Sequence, residues 1–286
     1  MKILAAAIQM SSELLDLAAN LQRADGLLRE AREAGAELVV LPELFNTGYS
    51  SGPDYGPHGE TAEGPTLSHL LQRSRRWKMC IAAGYVEREG RHLYNSVAFC
   101  KPSGELQIYR KRNLVFWERF RFYPGREPLV VSTPWGRVGF AVCADMIYRS
   151  VWSDYRDRID LAVIASAWPE FADRGSGRRH WLLGHVGPLC GDIPAKVAVD
   201  LGVPVVFANQ CGETRTRIPL LRTTIHDRFA GRSSICDGRH GAPVQADAEP
   251  ALLLAPVTIH PKRGMKSWSI TSNSARAAAS SASEPS

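Results

Sequence analysis

Residues 135–145 read Trp-Gly-Arg-Val-Gly-Phe-Ala-Val-Cys-Ala-Asp, an apolar stretch that ends in a cysteine and, two residues later, an aspartate. The apolar run predicts a buried β-strand, and Cys143 stands where that strand ends. A strand that delivers a cysteine to a sharp turn, followed by Asp145, is typical of a nucleophile presented at the carboxyl edge of a sheet. We therefore take the Cys143 thiol as the candidate nucleophile.

Two other apolar segments also end in charged side chains. Residues 38–43 read Leu-Val-Val-Leu-Pro-Glu and end in Glu43, and residues 106–111 read Leu-Gln-Ile-Tyr-Arg-Lys and end in Lys111. A carboxylate directly after a buried strand would be costly to bury without a partner. Glutamate, lysine and cysteine can act as a base, an oxyanion stabiliser and a nucleophile, which is the set that acyl transfer through a thioester requires.

The order and spacing of these positions resemble the nitrilase superfamily of carbon–nitrogen hydrolases, in its amidase-like branch. Two flanking stretches strengthen the resemblance. Residues 118–125 contain a glutamate, an aromatic run and Pro-Gly, and residues 229–236 carry the pattern Phe-x-Gly-x-Ser-x-Ile. The resemblance covers roughly residues 1–260. It implies an α/β fold of the α-β-β-α sandwich type.

The resemblance also implies a role for each of the three charged or nucleophilic positions. Cys143 would attack the substrate, Glu43 would act as the base, and Lys111 would stabilise the oxyanion. Lys111 has a basic neighbour on each side, Arg110 and Arg112, so the residues alone leave the choice of amine open. The family's Tyr-Arg-Lys order points to Lys111.

Further site residues follow from the same resemblance. Glu118 is expected to be a second carboxylate that orients Lys111 and the substrate amide, although a surface carboxylate in an arginine-rich loop would fit the same pattern. Trp168 resembles a pocket position, although a tryptophan at the edge of the core would look alike. Positions that the family uses for substrate binding are occupied here by Ala144, Asp145, Met146 and Trp168.

The chain departs from the usual family pattern in two places. Asn113 stands where the family often has a histidine. After Cys143 the family's aspartate is kept as Asp145, but Ala144 replaces the usual aromatic residue, and Met146 and Ile147 depart from the residues that usually follow. The commoner substrates of the family therefore cannot be carried over. We expect a medium-sized amide that bears a carboxylate or another acidic group, because arginines occur in the later segments. The candidates are Arg215, Arg217 and Arg222, for which surface exposure or a subunit contact is an equal explanation.

The predicted activity is hydrolysis of a non-peptide C–N bond, in an amide or carbamoyl compound, without a metal or organic cofactor. Three alternatives stay open: a nitrilase, an acyltransferase that uses an amine in place of water, and a non-catalytic binding protein on the same fold. Nitrilases of the superfamily usually show Cys-Trp-Glu at the nucleophile, and Cys-Ala-Asp at residues 143–145 argues against that activity.

A metal site at His180, His185 and Cys190 has no obvious fourth ligand. A dyad of Cys143 with one of these histidines would leave the glutamate and lysine unexplained.

The length, charge and composition of the chain limit what domain organisation, partners and location can be expected. The chain has 286 residues, a net charge of +6 and six widely spaced cysteines with no Cys-x-x-Cys pair. These features indicate one large α/β domain, residues 1–260, rather than a disulfide scaffold. Residues 261–286 form a Ser/Ala-rich tail that we expect to be largely disordered. No nucleic-acid module and no membrane span is visible, so we expect a cytoplasmic enzyme that acts on a small molecule, as a homodimer or larger homo-oligomer.

Segments with helical apolar periodicity alternate with short apolar runs typical of strands, and this alternation predicts the order of the helices and strands. A helix over residues 14–34 should end at Gly35, and a Gly-, Pro- and Ser-rich loop should occupy residues 46–64. Further helices are predicted over residues 67–76, 150–155 and 195–201. Strands are predicted over residues 3–9, 38–41, 80–86, 93–100, 106–109, 138–143, 161–165, 203–208, 233–236 and 252–259.

Overall fold

The computed structural model describes residues 1–170, 186–218, 223–238 and 244–261. Its helices are α1 Leu17–Glu33, α2 Pro65–Trp77, α3 Arg149–Tyr155 and α4 Val186–Leu201. Its strands are β1 Lys2–Gln9, β2 Leu38–Val40, β3 Cys80–Glu89, β4 His92–Cys100, β5 Leu106–Arg110, β6 Val130–Thr133, β7 Gly136–Val142, β8 Leu161–Ser166, β9 Val205–Asn209, β10 Glu213–Ile218, β11 Thr223–Arg228, β12 Ser234–Cys236, β13 Val244–Gln245 and β14 Ala251–Thr258. Among the described helices, none has the length and apolar character needed to cross a bilayer.

Two six-stranded sheets form the centre of the molecule. The first has the order β14-β1-β2-β3-β4-β5 and the second the order β13-β12-β9-β8-β7-β6. In each sheet the middle strands are parallel, β1 to β3 in one and β7 to β9 in the other, and the outer strands pair antiparallel. The parallel strands therefore end at a common edge of their sheet, where functional side chains can converge.

The sheets pack face to face, and helices cover them. The layer between the sheets is filled by side chains from both, among them Val40 and Phe99 from the first sheet and Phe140 and Ile164 from the second. Helices α1 and α2 bury apolar side chains such as Leu28 and Leu70 on the other face of the first sheet. Helices α3 and α4 pack against the second sheet. The predicted α-β-β-α sandwich is confirmed.

Most predicted elements are present, with shifted ends. Gly35 adopts a positive φ of 89° directly after α1, as a helix-terminating glycine does. Helix α4 begins nine residues before the predicted residue 195 and contains Pro194 in its interior. Strands β6, β10, β11 and β13 were not predicted: the apolar stretch at β6 is only Leu129 to Val131, and the other three strands have no apolar run. The predicted tail falls almost wholly on residues 262–286, which lie outside the described residues.

Candidate active site

Cys143 lies at the end of β7 and begins a 3₁₀ turn, Cys143–Ile147. Its φ is 47°, in the left-handed region that non-glycine residues seldom adopt. Such a conformation persists only when the surrounding structure enforces it, and it is typical of functional sites. The side chain is only 4% exposed, so the turn holds the thiol in a buried position at the edge of the second sheet.

Asp145 anchors this turn to the segment that follows β5. Its Oδ1 accepts hydrogen bonds from the backbone N–H of Asn113 at 2.9 Å and from Asn113 Nδ2 at 2.8 Å. Its Oδ2 accepts from Tyr109 Oη at 2.9 Å and from the N–H of Val142 at 3.2 Å. Burial raises the pKa of Asp145, and the Asn113 hydrogen bond opposes that rise. These contacts favour a role for Asp145 in positioning the turn after β7 rather than the predicted contact with substrate. They also give Asn113 a hydrogen-bond partner within the protein.

Glu43, Lys111 and Glu118 meet in a fully buried ion cluster. Lys111 Nζ lies 2.8 Å from Glu43 Oε1 and 2.7 Å from Glu118 Oε1, and all three side chains have 0% exposure. Glu43 follows β2, Lys111 follows β5, and Glu118 lies in the 3₁₀ turn Phe116–Phe120. The two strands belong to one sheet, so their ends bring together side chains that are 68 residues apart in the chain.

A fourth residue, Asn95 on β4, completes the cluster. Its Nδ2 donates to Glu43 Oε1 at 2.7 Å and to Glu118 Oε1 at 2.9 Å. Asn95 was not predicted from the sequence, although an asparagine in the middle of a buried strand is a signal because its amide needs a hydrogen-bond partner there.

Burial and the charges of the cluster together shift the pKa values of Lys111, Glu43 and Cys143. Burial alone would lower the pKa of Lys111, but the carboxylates of Glu118 and Glu43 outweigh it and hold that pKa well above its usual value. Burial raises the pKa of Glu43, and the attraction of Lys111 opposes it. Burial raises the pKa of the Cys143 thiol, and the Glu43 carboxylate adds to the rise. The site therefore holds a charged ammonium beside a neutral thiol.

Two glycines allow backbone segments to approach the charged residues closely. A Cβ on Gly84 would lie 2.4 Å from the Cα of Glu43, and one on Gly125 would lie 2.1 Å from the carbonyl oxygen of Arg110. Either side chain would displace a backbone segment that carries a member of the cluster. The N–H of Gly125 also donates to the carbonyl of Lys111 at 2.7 Å.

An aromatic wall stands beside the ammonium. The ring centroid of Tyr49 lies 6.0 Å from Lys111 Nζ, 4.9 Å from the Trp117 ring and 6.3 Å from the Phe229 ring. Tyr49 lies in the segment that was predicted only as a loop, because a single sequence does not show which loop covers which strand end. The three rings would offer apolar surface to a substrate near the cluster.

The other predicted site residues fall into two groups. Ala144, Met146 and Trp168 are buried at 3%, 2% and 7% exposure, and the last two belong to the core between the sheets. The side chains of Arg215 and Arg217, and the whole of Arg222, lie outside the described residues, as do His180 and His185. Cys190 is fully buried on α4. Within the described residues, no group of three or more His, Cys, Asp or Glu side chains is placed to hold a metal ion.

Comparison with known proteins identifies the family that this chain resembles and several of its relatives. A family model described as carbon-nitrogen hydrolase matches residues 4–237. The chain is 35% identical over 145 residues to a nitrilase of Pyrococcus abyssi, which covers 49% of this chain and 55% of that protein. It is 31% identical over 177 residues to an omega-amidase of Bos taurus, covering 57% of this chain and 62% of that protein. The matches thus span less than two thirds of these two relatives.

Solved structures share the fold. A CN-hydrolase superfamily protein from Xanthomonas campestris, with an arsenic adduct in its active site, has a TM-score of 0.72 at 22% identity, over 90% of this chain and 91% of that one. An amidase from Nesterenkonia sp. AN1, seen after Michael addition of acrylamide at its active-site cysteine, has a TM-score of 0.71 at 23% identity, over 88% and 92%. Because the family model matches most of its length, the chain belongs to the carbon–nitrogen hydrolase family, as the resemblance to the nitrilase superfamily predicted.

Proposed function

We propose that this chain hydrolyses the C–N bond of a non-peptide amide or carbamoyl compound, with Cys143 as the nucleophile. The observation that carries the proposal is the buried cluster of Glu43, Lys111 and Glu118, whose charges all act on the Cys143 thiol. A buried ion cluster of this kind is a poor source of stability, because desolvation offsets the attraction between its charges. Its position beside a strained cysteine supports a catalytic role.

In the first step the Cys143 sulfur attacks the carbonyl carbon of the amide, and Glu43 takes the thiol proton. The resulting tetrahedral intermediate collapses, the C–N bond breaks, and Glu43 passes the proton to the departing nitrogen. Ammonia or an amine leaves, and a thioester remains on Cys143. Because the thiol is neutral in the resting site, its deprotonation must accompany the attack rather than precede it.

In this proposal two groups stabilise the oxyanion, the Lys111 ammonium and the backbone N–H of Ala144. Lys111 directs two of its three N–H groups to Glu43 and Glu118, which leaves one without a partner among the described residues. The backbone N–H of Ala144 lies in the first turn of a 3₁₀ segment, where N–H groups are not used by the turn itself. Both donors are preorganised, so they require no reorientation when charge develops on the oxygen.

Hydrolysis of the thioester completes the cycle. Glu43 removes a proton from a water molecule, and the water oxygen attacks the thioester carbon. The C–S bond then breaks, the carboxylic acid leaves, and Glu43 returns the proton to the Cys143 sulfur. The positive charge of Lys111 serves both half-reactions, because each passes through an oxyanion at the same carbon. Glu118 acts on Lys111, whose ammonium it helps to keep charged.

A nitrile is the second candidate substrate, and the similarity to the Pyrococcus abyssi nitrilase favours it. The similarity to the omega-amidase of Bos taurus and to the Nesterenkonia amidase supports an amide. Incubation with matched amide and nitrile pairs, followed by measurement of acid and ammonia, decides between them. We expect turnover of amides and little of nitriles. Turnover of nitriles alone would overturn the amide assignment.

Three further expectations stay predictions: that the substrate is a small molecule, that the protein forms a homodimer or larger homo-oligomer, and that it is located in the cytoplasm.

A further inference from the structure

Asn95 is a polar side chain in the middle of β4, fully buried at 0% exposure. It does not belong to the set of residues that would react with substrate. A buried amide is costly unless its donors and acceptors are paired. The partners of Asn95 therefore indicate why the fold retains it there.

The amide nitrogen of Asn95 bridges the two carboxylates of the cluster. Its two N–H groups go to Oε1 of Glu43 and Oε1 of Glu118, the same two oxygens that accept from Lys111. The other oxygen of each carboxylate accepts one backbone N–H. Glu43 Oε2 accepts from Ala167 at 2.7 Å, and Glu118 Oε2 accepts from Val115 at 2.9 Å. The two glutamates thus have matching sets of donors.

Counting lone pairs shows which oxygen of Glu43 can take a proton. Each carboxylate oxygen offers about two acceptor sites. On Oε1 of Glu43 both sites are filled, one by Lys111 and one by Asn95. On Oε2 one site is filled by the N–H of Ala167, and one is left. The hydrogen bond from Asn95 therefore leaves Oε2 as the oxygen that can accept a proton.

The unpaired carbonyl oxygen of Asn95 indicates that the side chain is oriented for its two N–H groups, which donate to the carboxylates of Glu43 and Glu118. Asn95 Oδ1 is buried and has no hydrogen-bond partner among the described residues. Turning the amide over would bring Oδ1 against two carboxylate oxygens, which would repel it. The fold thus leaves one acceptor unpaired, at a cost in stability, while both donors remain on the carboxylates.

We propose that Asn95 is a positioning residue for the base of the reaction. By occupying Oε1 of Glu43 it directs proton transfer from Cys143 through Oε2, and by donating to the carboxylate it keeps Glu43 ionised. This inference rests on the proposed function in its use of Glu43 as the base. It adds that the base is held by a neutral donor on β4 as well as by the ammonium of Lys111.

The test compares two substitutions that act on the donors in different ways. Asn95→Leu keeps the approximate size of the side chain and removes both N–H groups. Asn95→Asp keeps the shape and replaces the donors with a third carboxylate. The matched control is Ser96→Ala, which removes a different buried hydrogen bond from the next residue of β4, the 2.7 Å bond from Ser96 Oγ to Glu87 Oε2.

The measurement is the pH dependence of single-turnover acylation of Cys143 by p-nitrophenyl acetate, with folding checked by circular dichroism. Loss of the donors raises the pKa of Glu43, so less of the base is ionised at a given acidic pH. We expect the acid limb to move to higher pH by at least about half a unit in Asn95→Leu and further in Asn95→Asp. Ser96→Ala should keep the wild-type acid limb.

Folded Asn95 variants that are slower but keep the wild-type acid limb would overturn the proposal. If only Asn95→Asp folds, the acid limb of its pH profile alone decides whether the proposal holds. If neither variant folds while Ser96→Ala does, Asn95 serves stability and the proposal fails. A wild-type enzyme that is acylated by the ester but hydrolyses no amide would refute the proposed function, while the shift of the acid limb would still decide the role of Asn95.

Discussion

Cys143 and Lys111 are both buried, yet their pKa values are governed by different neighbours. Burial raises the pKa of the Cys143 thiol, and the adjacent carboxylate of Glu43 raises it further. For Lys111 the carboxylates overcome the effect of burial and keep the ammonium charged. At the residue scale the site therefore contains a neutral thiol, and under the proposed mechanism this thiol needs a base at the moment of attack.

This assignment predicts how the free enzyme reacts with iodoacetamide. Iodoacetamide reacts with the thiolate, so alkylation of Cys143 should rise with pH as the thiolate fraction grows and should not level off below about pH 8.5, the pKa of an ordinary cysteine. The rate is measured by intact mass in the absence of substrate. Cys143→Ala provides the control, because the other five cysteines are also buried. A plateau below pH 7 would mean that a thiolate forms without substrate.

The choice of catalytic amine is tested by Lys111→Arg. A planar guanidinium does not fit the position of a compact ammonium between two carboxylates, so we expect kcat to fall by more than about 10³-fold despite the retained charge. Arg112→Lys is the matched control, since Arg112 pairs with Asp154 at 2.8 Å away from the cluster. Its activity should change little. A severe effect of Arg112→Lys with a mild one of Lys111→Arg would show that the wrong amine was assigned.

At the scale of elements, the close contact between the end of β2 and strand β3 positions Glu43, the proposed base. The N–H of Gly84 donates to the carbonyl of Pro42 at 3.1 Å, and the carbonyl of Gly84 accepts from the N–H of Phe45 at 3.0 Å. Gln210, just after β9, adds a 2.7 Å hydrogen bond from its Nε2 to the carbonyl of Glu43. Hydrogen bonds from both sheets to the backbone around Glu43 thus fix where its side chain begins.

Gly84→Ala tests this contact. The added methyl group would overlap the backbone of Glu43, so we expect a loss of about 1–3 kcal/mol in the free energy of unfolding and a lower kcat. Gly26→Ala, in the interior of α1, has nothing within 4 Å of the new Cβ. It should stabilise the protein by about 0.5–1 kcal/mol and leave kcat unchanged. Urea denaturation and amide turnover of both variants give the comparison, and full activity in Gly84→Ala would contradict this role.

Sequence patterns predicted the elements whose sequence has a clear apolar pattern, such as α1, and missed or shortened others whose sequence pattern is weaker. The β10–β11 hairpin is rich in Thr and Arg and has no apolar run, and helix α4 contains Pro194, which usually marks a helix end. In the site, Glu43, Lys111 and Glu118 were predicted and do meet. Asn95 and Tyr49 were missed, because their importance depends on which strand ends lie side by side.

At the scale of the whole molecule, the two sheets bring together residues from distant parts of the chain. The first sheet contributes Glu43, Asn95 and Lys111, and the second contributes Cys143 and the N–H of Ala167 that holds Glu43. The active site is therefore a property of the packed sandwich. Loosening the interface between the sheets should affect catalysis before it unfolds either sheet.

The acidic substrate predicted from the sequence is tested at this scale, because its candidate arginines lie far along the chain from the cluster. A guanidinium that pairs with a substrate carboxylate would contribute about 1.5–3 kcal/mol per charged hydrogen bond. We expect kcat/KM to be higher for an acidic amide than for a matched neutral one, and the difference to shrink in at least one of Arg215→Ala, Arg217→Ala and Arg222→Ala. Equal values for both amides in all four proteins would contradict the prediction.

The most direct test of the account is intact mass spectrometry of the enzyme quenched with acid during amide turnover. A thioester adds the mass of the acyl group to the chain, and peptide mapping places it. We predict an acyl adduct on Cys143 in the wild type, no adduct in Cys143→Ala, and a loss of turnover in that variant of more than about 10³-fold with the fold retained. Turnover by folded Cys143→Ala above a tenth of the wild-type rate, or an adduct on another residue, would contradict the mechanism.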